Sequence, residues 1–294
     1  MVKFAGWQLA NAAFFAGNVL AVQNIPRLDS SNQMLLPLNF LTPAPYAFAI
    51  WGVIYSSELF FVLWQLMQCP GRSSPSRQNL LQRLSPDFCA ANACQIAWCF
   101  AFRPRLDSPG LLWISALCLA GIAYKLSQAH ATLTKEELSW EELLLAYAPL
   151  TLHFGWTSAA ALVNLNGYVS RCCLDLGLPV GIKVLSLLVS LLLAGKLGIG
   201  LTVRRRSSLY GLTVAWALVA VAIQTSTSDD FREEFPFGED AVTILVNLEF
   251  LLGFAVIAVA LIKGDAPCAD SCALSLSLKR LVPLAILWGE VGQS

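Results

Sequence analysis

The sequence is short of charge. Only 13% of its 294 residues are Asp, Glu, Lys or Arg, against about a quarter in an ordinary soluble domain. With 56% hydrophobic residues and a mean hydropathy of +0.62, the chain lacks the polar surface to cover a water-soluble fold. That excludes disorder, collagen, coiled coil and a soluble enzyme of ordinary kind. Charge of one sign is missing too. The formal net charge is zero and the isoelectric point about 6.7, so no basic excess points to nucleic acid. Histidine is scarce: His130 and His153 are the only two, with no partners at zinc-ligand spacing. No Ser–His–Asp set, metal box or phosphate loop is visible, and the chain is not read as an enzyme.

Cysteine is plentiful, with nine residues, but not arranged as a disulfide framework. An odd number inside apolar runs argues for small buried hydrophobes. Cys89, Cys94 and Cys99 step by five, about 140° on a helix, so they share no face. Cys172–Cys173 and the pair Cys268 and Cys272 fall in expected loops. Cys69 and Cys118 complete the set.

Long apolar runs dominate what is present. A helix needs about 20 apolar residues to cross a bilayer, and eight stretches approach or meet that length: 4–22, 44–68, 88–102, 110–129, 143–163, 179–203, 208–224 and 241–262. Unbroken runs argue for helices, not for the short alternating strands of a membrane β-barrel. The reading is an all-α membrane protein of about eight transmembrane helices. Residues 1–22 are taken as the first membrane helix, not as a signal peptide. The third span is short, with Ser85 as its expected cap and Pro86 in its first turn. Residues 275–289 are too short and broken for a ninth span and suit an interfacial helix.

Eight spans place eleven cations on one side: Lys3, Arg72, Arg77, Arg83, Lys135, Arg204, Arg205, Arg206, Lys263, Lys279 and Arg280. Five, Arg27, Arg103, Arg105, Arg171 and Arg232, fall on the other. This puts both termini on the cytoplasmic or equivalent face of an unspecified membrane. The opposite face carries an acidic link, Asp229, Asp230, Glu233, Glu234, Glu239 and Asp240, expected to be a solvated loop.

Polar groups inside spans are costly, so each is a candidate. Glu58 lies well inside the second span, on one face with Trp51 and Tyr55. It is expected to be shielded from lipid, paired with a polar side chain such as Gln95 or Asn164. Glu249 lies about two turns into the last span and is expected to reach toward the interface. His153 is the one in-span histidine: either a satisfied core residue or a haem axial ligand. Asn92, Gln95, Asn164 and Gln224 suit polar contacts between helices. Of nine tryptophans, Trp7, Trp64, Trp140 and Trp288 suit interface belts. Trp51, Trp98 and Trp156 lie deeper, either as helix packing or as walls of a pocket for a flat ligand.

Three motifs carry a resemblance. Residues 42–55, Thr-Pro-Ala-Pro-Tyr-Ala-Phe-Ala-Ile-Trp-Gly-Val-Ile-Tyr, combine a Pro-rich entry with Trp51-x-x-x-Tyr55. Gln95-Ile96-Ala97-Trp98-Cys99-Phe100 follows in the third span. Trp156, Ala160 and Asn164 follow in the fifth, with Pro149 seven residues before Trp156. In this order the chain resembles the translocator protein family, TspO/MBR or tryptophan-rich sensory protein, in a larger branch with extra C-terminal helices. The resemblance implies a five-helix bundle over residues 1–170, three further transmembrane helices over 171–264 and a tail over 265–294. Small members of the family bind porphyrins, haem and sterols. Carried over, the ligand-binding candidates are Pro43, Pro45, Tyr46, Phe48, Trp51, Tyr55, Trp98, Trp156 and Asn164, with the Pro-rich loop as a lid. Glu58, Gln95 and His153 are intramembrane polar candidates. The expected function is a membrane protein that binds a tetrapyrrole or a sterol- or lipid-like molecule for sensing or transport. A porphyrin or haem is its ligand rather than a fixed cofactor. Its partners are the bilayer, a hydrophobic small molecule and, as a homo-oligomer, further copies of itself. The alternatives are a small-solute or ion-coupled transporter, with Glu58 and Glu249 as coupling carboxylates, or a structural membrane subunit.

Overall fold

A computed structural model describes residues 5–26, 38–68, 73–103 and 109–263. Every regular element among them is helical. α1 spans Gly6–Asn24. A tight 3-10 turn at Pro45–Ala49 leads into α2, Ile50–Met67. α3 is Pro75–Ala101 and α4 Pro109–Leu133. The short α5, Trp140–Glu142, runs through a widened π turn, Leu143–Tyr147, into α6, Ala148–Leu176. α7 is Gly181–Arg205, α8 Ser208–Thr227, α9 Asp229–Glu234 and α10 Gly238–Lys263. By length and composition, five segments can cross a membrane: Pro45–Met67, Leu112–Leu133, Gly181–Arg205, Ser208–Thr227 and Gly238–Lys263.

Three other long helices, α1, α3 and α6, overlap the remaining expected spans but are more polar. In α1 and α3 the reason is a hydrogen-bonded seam. Gln8 Nε2 donates to the Gln65 carbonyl at 2.5 Å, and Asn18 Nδ2 to Asn92 Oδ1 at 2.8 Å. Ser85 Oγ donates to Asn11 Oδ1 at 2.8 Å. These groups are buried, and pairing offsets the desolvation that burial costs.

The third helix starts eleven residues earlier than expected. Ser74 is its cap, accepting from the Arg77 N–H at 3.3 Å, and Pro75 opens the first turn. Ser85–Pro86 offers the same signal, but Pro86 lies inside the helix and Ser85 faces α1. A tertiary partner for the Ser85 hydroxyl outweighs its local capping preference. At 27 residues, α3 is about 40 Å long, enough to cross a bilayer. The π turn sits just before Pro149, which has no N–H for the Leu145 carbonyl. The wider turn gives the ring room.

Contacts set successive long helices up and down. At one end, the starts of α1, α3 and α8 meet the ends of α2, α4, α7 and α10. Arg77 bridges Glu141 and Glu142 at 3.0 Å each, and Arg83 binds Glu136 at 2.6 Å. Arg205 Nη1 donates to the Ser127 carbonyl at 2.9 Å, and Ser208 Oγ to the Ala260 carbonyl at 2.9 Å. Arg205 also donates to His130 Nδ1 at 3.3 Å. A guanidinium cannot accept, so His130 is neutral and its Nε2–H donates to Ser207 Oγ at 3.1 Å. Ser207 in turn bonds the Tyr147 hydroxyl at 2.6 Å, tying the α7–α8 turn to α4 and α6.

Close approaches pack α8 on α6 and α10 on α7. A Cβ on Gly155 of α6 would lie 2.7 Å from Thr213 Cβ of α8. One on Gly198 of α7 would lie 3.0 Å from Val256 of α10. Gly195 likewise packs against Leu252 of α10, where a Cβ would lie 3.2 Å away. One apolar cluster runs from Phe15 of α1 to Val256 of α10.

Other expectations change. Cys172 and Cys173 lie in the last turns of α6, not in a loop; that helix ends at Gly177 in the left-handed conformation (φ 62°). None of the six described cysteines is in a disulfide. The acidic link is partly helical: Ser228 Oγ caps α9, accepting from the Phe231 N–H at 3.2 Å, with Asp229 and Asp230 in the first turn. Phe231 is buried there and anchors the segment. Glu249 does not reach an interface. It lies about 16 Å along α10, fully buried, with neither carboxylate oxygen hydrogen-bonded. Trp64 is buried, against the Arg77 guanidinium 5.6 Å from its ring centre. The residue pair Cys268 and Cys272, Cys69, Trp288 and the expected interfacial helix at 275–289 lie outside the described residues.

Candidate functional site

The end of the bundle opposite the basic cluster is closed by residues 38–49. Asn39 begins the closure. Its Oδ1 accepts from the Leu41 N–H at 3.0 Å, a turn that asparagine favours. Its Nδ2 donates to the Val163 carbonyl of α6 at 2.9 Å. Further on, the Ala44 N–H donates to the Ala220 carbonyl of α8 at 2.9 Å, and Trp216 Nε1 to the Ala47 carbonyl at 3.2 Å. The prolines suit this path, since Pro43 and Pro45 have no N–H to satisfy away from water. Phe40 is wedged at the rim, 4.8 Å from Phe231 and 5.8 Å from Phe235 between ring centres. Lys183 Nζ lies 4.7 Å from the centre of the Phe40 ring and pairs with Glu234.

Beneath this strap is a cavity of about 440 Å³, within the usual range for small-molecule sites. The strap, α2, α3, α4, α6 and α8 all line it. Of the candidates named from sequence, Pro43, Phe48, Trp51, Trp98, Trp156 and Asn164 are in the wall. Their rings form a connected set. Trp156 stands edge-on to Phe48 at 5.7 Å and to Trp51 at 6.3 Å. Trp98 Nε1 donates to Asn164 Oδ1 at 3.2 Å, so the asparagine anchors an indole. The Trp156 indole N–H is buried without a protein acceptor.

Three candidates are not in the wall. Tyr55 stacks behind Trp51 at 5.6 Å, with its hydroxyl 3.4 Å from Asn18 Oδ1. Tyr46 is edge-on to Trp216 at 5.4 Å, outside the cavity. Pro45 opens the 3-10 turn.

The sequence reading missed the far wall. Ala217, Leu218, Val221, Gln224 and Thr225 of α8 line the cavity, with Ser228, Asp230 and Phe231 at its rim. The middle of α8, residues 214–223, is wholly apolar, with no motif to separate a cavity wall from helix packing.

Glu58 is buried as expected, but its partner is neither Gln95 nor Asn164. Its Oε1 lies 2.7 Å from His153 Nδ1. Both residues are fully buried, on α2 and α6. Gln95 is buried on α3 with Oε1 unpartnered. The 95-residue separation of Glu58 and His153 hid their pairing. Glu58 Oε2 and His153 Nε2 are buried without a hydrogen-bond partner in the protein. His153 is edge-on to Trp51 at 5.7 Å, so the pair backs the aromatic wall. The imidazole itself does not line the cavity. It is therefore not placed as axial ligand for a haem held there.

The sequence model of a family described as TSPO-like protein matches residues 8–262. The match runs from α1 through α10 without a break. Comparison with curated proteins and with solved structures returns no match.

Proposed function

The chain belongs to the TSPO-like protein family, and from that premise we propose that this multi-pass membrane protein binds a flat hydrophobic molecule for sensing or transport. The aromatic-walled cavity under the 38–49 strap carries this reading. Trp51, Trp98, Trp156 and Phe48 offer ring faces and edges to a flat body, and Pro43 belongs to the lid. Asn164 fixes Trp98, and Tyr55 supports Trp51 from behind. A tetrapyrrole or a sterol-like lipid fits this description, held without covalent chemistry. We take α1, α3 and α6 as membrane-crossing too, giving eight spans. The basic end then faces the cytoplasmic-equivalent side with both termini, and the strap faces the other. In domain terms, residues 1–170 form the five-helix bundle and 171–264 the three added helices; α8 completes the cavity.

The test is binding to the purified full-length protein in detergent, read by tryptophan quenching. Two uncharged probes serve: the dimethyl ester of protoporphyrin and a fluorescent sterol. Saturable binding to at least one, weakened by Trp51→Phe and Trp156→Phe but not by Trp7→Phe, is expected. No saturable binding by folded protein would reject the reading.

A second reading rests on the two buried in-span carboxylates. Glu58 with His153, and Glu249 buried within α10, suit coupling of a solute to protons. Proton uptake with solute flux in vesicles, lost in Glu249→Gln, separates it from the first.

A further inference from the structure

The cavity wall is almost without charge. Among its described lining residues, Asp230 is the only one with a charged side chain; no lysine, arginine or histidine lines it. Asp230 is exposed in the first turn of α9, at the rim, and none of the ion pairs among the described residues includes it. Two cations of α7 and α9 are paired, and a third, Arg103, lies over an aromatic ring. Lys183 of α7 pairs with Glu234 beneath Phe40. Arg232 is held by Glu239 at 3.6 Å and the Ser226 carbonyl at 2.6 Å. Arg103, at the end of α3, lies 4.4 Å from the centre of the half-exposed Phe100 ring. Asp229 adjoins Asp230 in the first turn of α9. Among the described lining residues, the rim therefore carries a single negative charge over an apolar, aromatic interior.

We propose that this cavity selects its ligand by head-group charge, taking a flat apolar amphiphile with a neutral or cationic head at Asp230 and disfavouring one with carboxylates. The inference rests on reading the cavity as a ligand site. The body is buried among the rings and its uncharged polar atoms meet the unpartnered Trp156 N–H. The head stays at the rim, where an ammonium gains the Asp230 carboxylate. A carboxylate there meets like charge at Asp230 instead.

Three probes with one body and different heads test this: protoporphyrin with two free propionates, its uncharged dimethyl ester, and its diamide bearing two tertiary ammonium groups. Each is titrated into the full-length wild type, Asp230→Asn and Asp230→Lys, at low and high salt. Comparing proteins for one probe cancels its partition into detergent. Because Asp230 is exposed, both variants should fold, and unchanged melting checks this. At low salt Asp230→Asn should weaken the cationic probe by roughly fivefold, with the difference shrinking at high salt. The ester should be unaffected, and Asp230→Lys should strengthen the free acid. Equal affinity of wild type and Asp230→Asn for the cationic probe, or of wild type and Asp230→Lys for the free acid, overturns the proposal. If the ester binds all three proteins alike without charge ordering of the others, only this inference falls. If no probe binds folded protein and the sterol also fails, the ligand-site reading falls with it.

Discussion

Glu58 and His153 show what a single pair does inside this bundle. Each alone would be a buried polar group without compensation; together they are hydrogen-bonded at 2.7 Å. Breaking one partner of such a pair is expected to cost about 3–5 kcal/mol. Replacing both removes the orphaned group as well, so the two losses are not additive. Melting of Glu58→Leu, His153→Leu and the double variant in detergent should show the double variant losing less than the sum of the single losses. Strictly additive losses would mean that the two side chains do not act together. The neighbouring Trp51 ring should also respond, with a changed indole emission in either single variant, because His153 packs on its edge.

At the scale of helices, caps and close approaches decide which elements form and how they sit. Glu142 closes the capping box of α5. Its Oε2 accepts from the Ser139 N–H at 2.9 Å and the Ser139 hydroxyl at 2.7 Å, and its Oε1 accepts from Arg77 Nε at 3.0 Å. Burial raises its pKa, but the Ser139 hydrogen bonds and the Arg77 guanidinium outweigh this and bring it below the usual glutamate value. A lowered folded-state pKa means that the stabilisation is present above the unfolded value of about 4.5 and fades as pH falls through the folded one. The melting advantage of wild type over Glu142→Gln should therefore hold near neutrality and shrink below about pH 4.5. A constant advantage across that range would contradict the assignment. Helix contacts make a second prediction. Gly155→Ala sets a methyl 2.7 Å from Thr213 Cβ, and overpacking of this kind costs about 1–3 kcal/mol. Gly200→Ala in α7 meets nothing within 4 Å and should be neutral or slightly stabilising by helix propensity. Equal melting of the two variants would refute the tight α6–α8 crossing.

For the whole molecule, the main consequence is that α8 and the strap share one cavity. The strap is fastened to α6 through Asn39 and to α8 through Ala44 and Ala47. Filling the α8 wall should then abolish binding without touching the Trp motifs. Val221→Trp, which replaces a buried lining residue, should lose retention of the uncharged probe. Leu212→Trp, on an exposed position of the same helix, should not. Undiminished retention in Val221→Trp would separate α8 from the ligand site.

The sequence by itself determined the solvent this protein lives in, because 13% charge and long apolar runs leave no other. It also placed most long helices, since their cores are continuous apolar segments, and it marked Trp51, Trp98, Trp156 and Asn164 through spaced motifs. It misplaced the start of α3, because Ser74–Pro75 and Ser85–Pro86 carry the same local signal and only the contact between Ser85 and Asn11 tells them apart. Tertiary structure alone decided the partner of Glu58, 95 residues away, and the wall that α8 supplies. Both depend on which faces meet when helices pack, and in lipid an apolar face looks alike in sequence whether it meets a ligand, a neighbouring helix or an acyl chain.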